Sequence, residues 1–231
     1  MTTAISAAVP QTAGLLDNET LDDLRLRLAP LIAANAAFDG WSGEALALAA
    51  DSAGVDRDVA ELAFSGGALA MIDAWFASVD LAMLRDLPED RLAAMKIRER
   101  ITALVEARLA ILAPNREALR RAQAVLAMPL NLPRATRLGW RAADAMWRAA
   151  GDRSVDYNYY SKRTILAGVY AATLLVFVND ESADYGETRA FLARRIEGIM
   201  RFEKAKHRLT GQPDQHFSMA RFLGRLRYRG G

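Results

Sequence analysis

Between Leu21 and Leu209 apolar residues recur three and four positions apart in one segment after another, and no segment alternates apolar with polar. A 3.6-residue period puts positions i, i+3, i+4 and i+7 on one stripe, whereas a half-buried strand needs a period of two, so the chain is expected to be all-α. Helix signals divide it further. Thr20 caps a first helix carrying Leu21, Leu24, Leu28, Leu31 and Ile32, with Asp22 and Asp23 favourably placed in the first turn. A second begins near Ser42 and ends at Gly54, and a third is capped by Asp56 and runs through Phe64. Gly66 and Gly67 precede a fourth helix marked by Leu69, Ile72, Phe76, Val79 and Met83. Two short helices joined by a glycine turn, behind a longer first helix, make a helix-turn-helix outline.

Pro88 suits the first turn of one long fifth helix, whose Ile97, Ile101, Leu104, Val105 and Leu112 share a face until Pro114 stops it. Asn115 is the expected cap of a sixth helix to about Ala127, and Pro129 and Pro133 bracket a linker before a seventh that ends at Gly151. An eighth starts near Asp156. Its stretch from Thr164 to Asn179 carries no charge, is too short to span a bilayer, and reads as the central buried helix. A ninth runs from about Asp184 to Leu209, and a last one follows Pro213, giving about nine to ten helices. The expected organisation is a mobile tail over 1–18, a helix-turn-helix-like part over 19–87, a larger helical bundle over 88–211 and a C-terminal helix over 212–231.

Composition removes several chemistries. The chain has no cysteine, which excludes disulfides, zinc-thiolate sites and thiol nucleophiles. Its two histidines, His207 and His216, lack carboxylates at metal-ligand spacing, and there is no P-loop, dinucleotide-binding glycine motif or nucleophile elbow. No catalytic residue, metal or cofactor is therefore expected. Charge is the more useful quantity: residues 1–90 hold 15 acids against 4 arginines, a net −11, and the remainder of the chain is +13. The third helix stands where a recognition helix would, yet it offers Asp56, Asp58 and Glu61 against the single Arg57. DNA affinity comes mainly from Lys and Arg neutralising phosphates, so no nucleic-acid partner is expected.

Two constellations remain. Asp156, Tyr159, Tyr160 and Arg163 fall at i, i+3, i+4 and i+7, one face of a helix. That set has the composition of a protein-docking hot spot, and it equally suits tyrosines that cap a core with their hydroxyls in water. In the last helix Met219, Phe222, Leu223 and Leu226 form an apolar stripe opposite Arg221 and Arg225. A basic amphipathic helix of this kind lies on an anionic membrane surface or docks on the protein's own core.

The run Met146-Trp147, Ala150-Gly151-Asp152-Arg153-Ser154, Asp156-Tyr157-Asn158-Tyr159-Tyr160-Ser161-Lys162-Arg163, then Tyr170, Asp180, Phe191-Leu192 and Arg195-Ile196, closely resembles the ubiquinone-biosynthesis accessory lipid-binding family, the ninth coenzyme-Q protein of mitochondria and its bacterial relatives. Phe38-Asp39-Gly40-Trp41-Ser42 and Gly54-Val55-Asp56 agree with that family's N-terminal part. The chain departs from it at Tyr159, where many members have Trp, and the C-terminal helix matches in kind but poorly in sequence.

The resemblance implies a TetR-repressor-like fold, usually a homodimer, that binds an isoprenoid quinone intermediate or a phospholipid instead of DNA. It implies presentation of that lipid to the di-iron demethoxyubiquinone hydroxylase. It also implies a peripheral place on the cytoplasmic face of the inner membrane, or the matrix face in mitochondria. On this reading Met146, Asp156, Tyr159, Tyr160 and Arg163 dock the hydroxylase. Ile165, Leu166, Val169, Tyr170, Thr173, Leu174 and Phe177 face the lipid, and Met219, Arg221, Phe222, Leu223, Arg225 and Leu226 touch the membrane. The small residues Ala167, Gly168, Ala171 and Ala172 serve either cavity room or close helix packing. A ligand-sensing transcriptional repressor is the alternative function.

Overall fold

A computed structural model describes residues 19–154 and 157–210 of the chain, and among these there is no strand. The expected tail, Asp156 and the expected C-terminal helix lie outside the described residues. Ten α-helices follow in order: α1 (Leu21–Asp39), α2 (Gly43–Ala53), α3 (Arg57–Ala63), α4 (Gly67–Asp86), α5 (Glu89–Ala93), α6 (Ile97–Leu112), α7 (Arg116–Leu126), α8 (Leu132–Ala149), α9 (Tyr157–Phe177) and α10 (Gly186–Thr210). The described chain forms two compact units, one ending at Leu192 and one starting at Ala193, the latter holding the rest of α10.

The N-terminal helices form for the reasons read in the sequence. The Thr20 hydroxyl accepts from the backbone N–H of Asp23, whose carboxylate accepts in return from the Thr20 N–H, a reciprocal cap. Ser42 caps α2, and Gly54 ends it in the left-handed conformation, φ 66°, that a residue with a Cβ rarely adopts. Asp56 caps α3 by accepting from Asp58 and Val59.

Further along, three expectations need correction. The long fifth helix is two helices, α5 and α6, because Arg100 spends its guanidinium on the carbonyls of Ala93 and Met95, while Glu99 accepts from the Lys96 N–H and starts α6 afresh. Asn115 makes no side-chain cap; it closes a 3-10 turn, Ala113–Asn115, that leads directly into α7. Pro133 belongs to α8 rather than to a linker, since in the first turn of a helix its missing N–H has no carbonyl to lose.

The helix-turn-helix-like part is not separate from the bundle. α1 packs on α2 and α4 and also on α7, and the buried Trp41 indole donates to the Ala118 carbonyl of α7 at 3.0 Å. Trp41 lies 5.2 Å from Trp75 of α4, ring centre to ring centre, and α4 packs in turn on α6, so contacts cross residue 87 at more than one place. α4 is long and apolar enough to cross a membrane by length and composition. Here it is a core helix: Met71, Ile72, Trp75, Phe76, Val79 and Met83 are buried, and its carboxylates Asp73 and Asp80 are both ion-paired.

α9 pairs with α8 through Gly139, where a Cβ would meet Ala167 at 4.0 Å. It is not buried all round. Leu166, Tyr170, Thr173, Leu174 and Phe177 turn inward, whereas Thr164, Ile165, Gly168, Ala171 and Leu175 lie exposed on the opposite face.

Candidate functional site

The strongest constellation of the sequence sits on the α8–α9 pair, held by an ion-pair network that the spacing alone did not reveal. The Arg163 Nε donates to Asp144 of α8 at 2.6 Å and its Nη1 to Asp152 of the connecting turn at 3.1 Å. Its guanidinium lies 3.5 Å from the centre of the Tyr159 ring, and the Tyr159 hydroxyl donates to Asp144 at 3.2 Å. Lys162 adds a bond to Asp152 at 2.7 Å and stacks over Trp147, whose indole donates to the Lys162 carbonyl. Burial opposes the charge on Asp152, but donors from Lys162, Ser154 and Arg163 outweigh it and hold its pKa down to about 2.

This network reassigns part of the expected docking set. Arg163 is only 2 % exposed and Met146 is fully buried, so both support the patch from beneath and offer a partner no surface. Tyr160 is 61 % exposed, and Tyr159 is half-buried. Asp156 lies outside the described residues. Tyr159 and Tyr160 meet edge to face at 5.1 Å, and Trp140 of α8 joins both, at 6.3 and 6.0 Å. Trp140 and Asp144 are residues that reading the sequence missed, and Trp147, quoted there only for the resemblance, was given no place in the site. Their spacing of i, i+4 and i+7 was the available signal, because it aligns them on one face of α8.

Of the expected lipid-facing set, Leu166, Tyr170, Thr173, Leu174 and Phe177 line the core side of α9, and Val169 is half-buried. Ile165 is separated from them, exposed on the outer face. The far end of α9 is held by α7: Arg116 and Arg120 donate to the Val178 carbonyl, and Arg116 stacks on Phe177 and Tyr185. Asp180, a residue of the resemblance, is a buried cap for α10. Its carboxylate accepts from the Thr188 N–H at 2.8 Å and from the hydroxyls of Thr188 and Ser182, which holds its pKa well below the usual carboxylate range against the cost of burial.

Inside the bundle a second polar group joins Tyr170, of the expected lipid-facing set, to two residues outside every expected site, Arg108 and Asp80. Arg108 of α6 is 0 % exposed and donates through Nη1 to Asp80 of α4. Its Nε and Nη2 have no hydrogen-bond partner among the described residues, nor has the buried hydroxyl of Tyr170, whose ring lies 4.9 Å from the guanidinium. An unmet buried donor costs roughly 1–3 kcal/mol. The sequence signal was an arginine on the apolar stripe of α6, four positions after Leu104 and four before Leu112.

The acidic reading of α3 is reinforced locally: Arg57, its lone cation, is bound through Nε and Nη2 to both carboxylate oxygens of Asp51, while Asp58 and Glu61 are exposed.

A family model described as COQ9 matches residues 132–203, the span that holds this α8–α9 site. The ubiquinone biosynthesis protein COQ9 of rat mitochondria is 33 % identical over 169 residues, 70 % of this chain and 54 % of the relative. Over these spans the chain is similar to the COQ9 family. The human mitochondrial COQ9 is 30 % identical over 191 residues, 80 % of this chain and 60 % of that protein, so the chain spans little more than half the length of the COQ9 proteins it matches. Among solved structures, a TetR transcriptional regulator from Nitrosomonas europaea superposes with a TM-score of 0.60 at 25 % identity, covering 75 % of this chain and 96 % of that one. The fold is therefore TetR-like, and the family-model match falls on the stretch that carries the aromatic patch.

Proposed function

We propose that this protein is a non-catalytic accessory factor of ubiquinone biosynthesis that holds an isoprenoid quinone intermediate or another lipid and presents it to the di-iron demethoxyubiquinone hydroxylase. The observation that carries this reading is the aromatic patch of Trp140, Tyr159 and Tyr160, braced from beneath by Asp144, Asp152 and Arg163, within the segment shared with COQ9. Docking hot spots are built from aromatic residues fixed before binding, because a side chain already held loses little freedom when a partner arrives. A prenyl tail needs an apolar host outside the bilayer, since each buried methylene gains about 0.8 kcal/mol away from water. The inward face of α9 supplies such a surface, and its exposed outer face suits a homodimer contact. In this reading the protein works on the cytoplasmic face of the inner membrane, or on the matrix face where the host is a mitochondrion, with the C-terminal helix as its membrane contact.

A repressor function is less well supported. The regulator from Nitrosomonas europaea shares the fold, but α3 presents Asp58 and Glu61 outward and has its single arginine bound to Asp51. Like charge opposes a duplex at the position where a recognition helix would enter the groove.

Tyr160→Ala, and separately a charge reversal at Asp156, test the proposal. Capture of the purified hydroxylase should weaken by about 2 kcal/mol for the tyrosine, roughly thirtyfold, with helicity and thermal unfolding nearly unchanged. Undiminished capture by both variants would place the docking surface elsewhere.

A further inference from the structure

The Arg108 group is built like a receptor for an oxyanion. Nη1 is taken by Asp80, which leaves Nε and Nη2, the side edge of the guanidinium whose two N–H bonds point the same way. Elsewhere in this chain that edge grips carboxylates with both nitrogens: Arg27 holds Glu19 at 2.7 and 2.8 Å, and Arg57 holds Asp51 at 2.9 and 2.5 Å. On Arg108 it makes no aligned hydrogen bond among the described residues, the neighbouring acceptor being the Tyr170 hydroxyl.

The Tyr170 hydroxyl lies close enough to feel that charge, yet no properly aligned hydrogen bond joins the two. Burial keeps the hydroxyl protonated against the pull of Arg108, so it remains a donor.

Charge around the group is also unbalanced. Arg134, Arg137 and Arg141 share Asp73, and Arg141 and Arg108 share Asp80, so four guanidinium groups stand against two carboxylates along the seam of α4, α6 and α8. The buried residues a turn away are mostly apolar, and the hydroxyl of buried Thr173 is spent on the Val169 carbonyl. Leu104, Val105 and Leu112, a turn from Arg108, and Leu166 and Leu174, a turn from Tyr170, are all buried.

We infer that Arg108 and Tyr170 form an internal binding site for a carboxylate or phosphoryl oxyanion carried by an apolar molecule, which takes the side edge of Arg108 and the Tyr170 hydroxyl. This inference rests on the reading of the bundle as a lipid host and adds the chemistry of the head to it. In the closed bundle neither donor meets water, so the ligand enters by parting α4, α6 and α9.

Calorimetric titration of the full chain with oleate, oleyl alcohol, lysophosphatidate and inorganic phosphate tests it. Oleate or lysophosphatidate should bind at least about tenfold more tightly than the alcohol, which has the same chain length class but no charge to meet the fork. Arg108→Lys, which keeps the charge and loses the fork, and Tyr170→Phe, which keeps the ring, should each reduce that preference severalfold while leaving the alcohol unaffected. Saturable binding of inorganic phosphate that displaces oleate would identify a free anion as the source and support the site without a lipid tail. Equal affinity for oleate and its alcohol in the unmodified protein, or a preference kept in both variants, would overturn the inference. So would no binding by any probe. A prenyl quinone that binds the unmodified chain and both variants equally, with no anion preference, would remove this site and leave the lipid-carrier reading standing.

Discussion

At the scale of single residues, the segment shared with COQ9 consists mostly of internal fasteners. Asp152, Lys162 and Arg163 lock the α8–α9 turn, Trp147 bonds across it, Asp180 caps α10, and among the described members of the expected docking set Tyr160 alone is broadly open to solvent. Helical spacing placed Tyr159, Tyr160 and Arg163 together. It could not distinguish the residue pointing outward from the one pointing in, because that depends on where α8 lies. Asp152 gives a direct test of the lock. Its pKa is depressed to about 2 in the fold, so its contribution is complete above the unfolded value near 3.8, declines as pH falls through the interval between them, and is gone below about 2. Asp152→Asn should cost about 2 kcal/mol at neutral pH, and the gap from the unmodified protein should narrow as the medium is acidified from pH 4 toward 2. Urea unfolding at a series of pH values reads it, and a gap that stays constant would mean that the carboxylate is not what fastens the turn.

At the scale of elements, helix starts with a side-chain cap were legible, and those set by long-range bonds were not. Thr20, Ser42 and Asp56 announce α1, α2 and α3 because their partners lie two or three residues ahead. At the break between α5 and α6, Arg100 adds to its local bonds with Ala93 and Met95 one to the Ala150 carbonyl fifty residues away, which nothing local signals. α9 shows the same limit: an uncharged helix reads as buried on every side, yet Leu175 and Gly168 face outward. The C-terminal stripe, outside the described residues, is open to experiment as an element of its own. Replacing Phe222 and Leu226 with serine should lower binding to anionic liposomes, each buried large side chain being worth about 1.5–3 kcal/mol. Exchanging Arg221 and Arg225 for glutamine should cost roughly 1 kcal/mol per charge and lose its effect at high salt. If the serine variant aggregates while liposome binding per folded molecule is unchanged, the stripe belongs to the protein's own core.

At the scale of the whole molecule, the chain length allows one domain or a small module fused to a larger one, and the contacts between the two parts speak for a single continuous core. α1 packs on α7, α4 packs on α6 and α8, and Trp41 bonds to Ala118, so residues 19–87 leave part of their apolar surface uncovered without the bundle. A fragment of those residues should lack a cooperative thermal transition by circular dichroism, while the full chain unfolds the two parts together; a sharp transition in the fragment would restore the module. The all-helical class, the caps of the first three helices, the acidic character of α3 and the segment held in common with COQ9 were legible in the amino acids alone, since each is written in residues a few positions apart. Which faces of α8 and α9 meet, that Arg163 and Met146 are buried while Tyr160 is open, and that Arg108 finds Asp80 and Tyr170 were decided only by the tertiary structure. Those contacts join residues tens of positions apart, and a helical period fixes the angle between side chains on one helix without saying which way the helix is turned toward its neighbours.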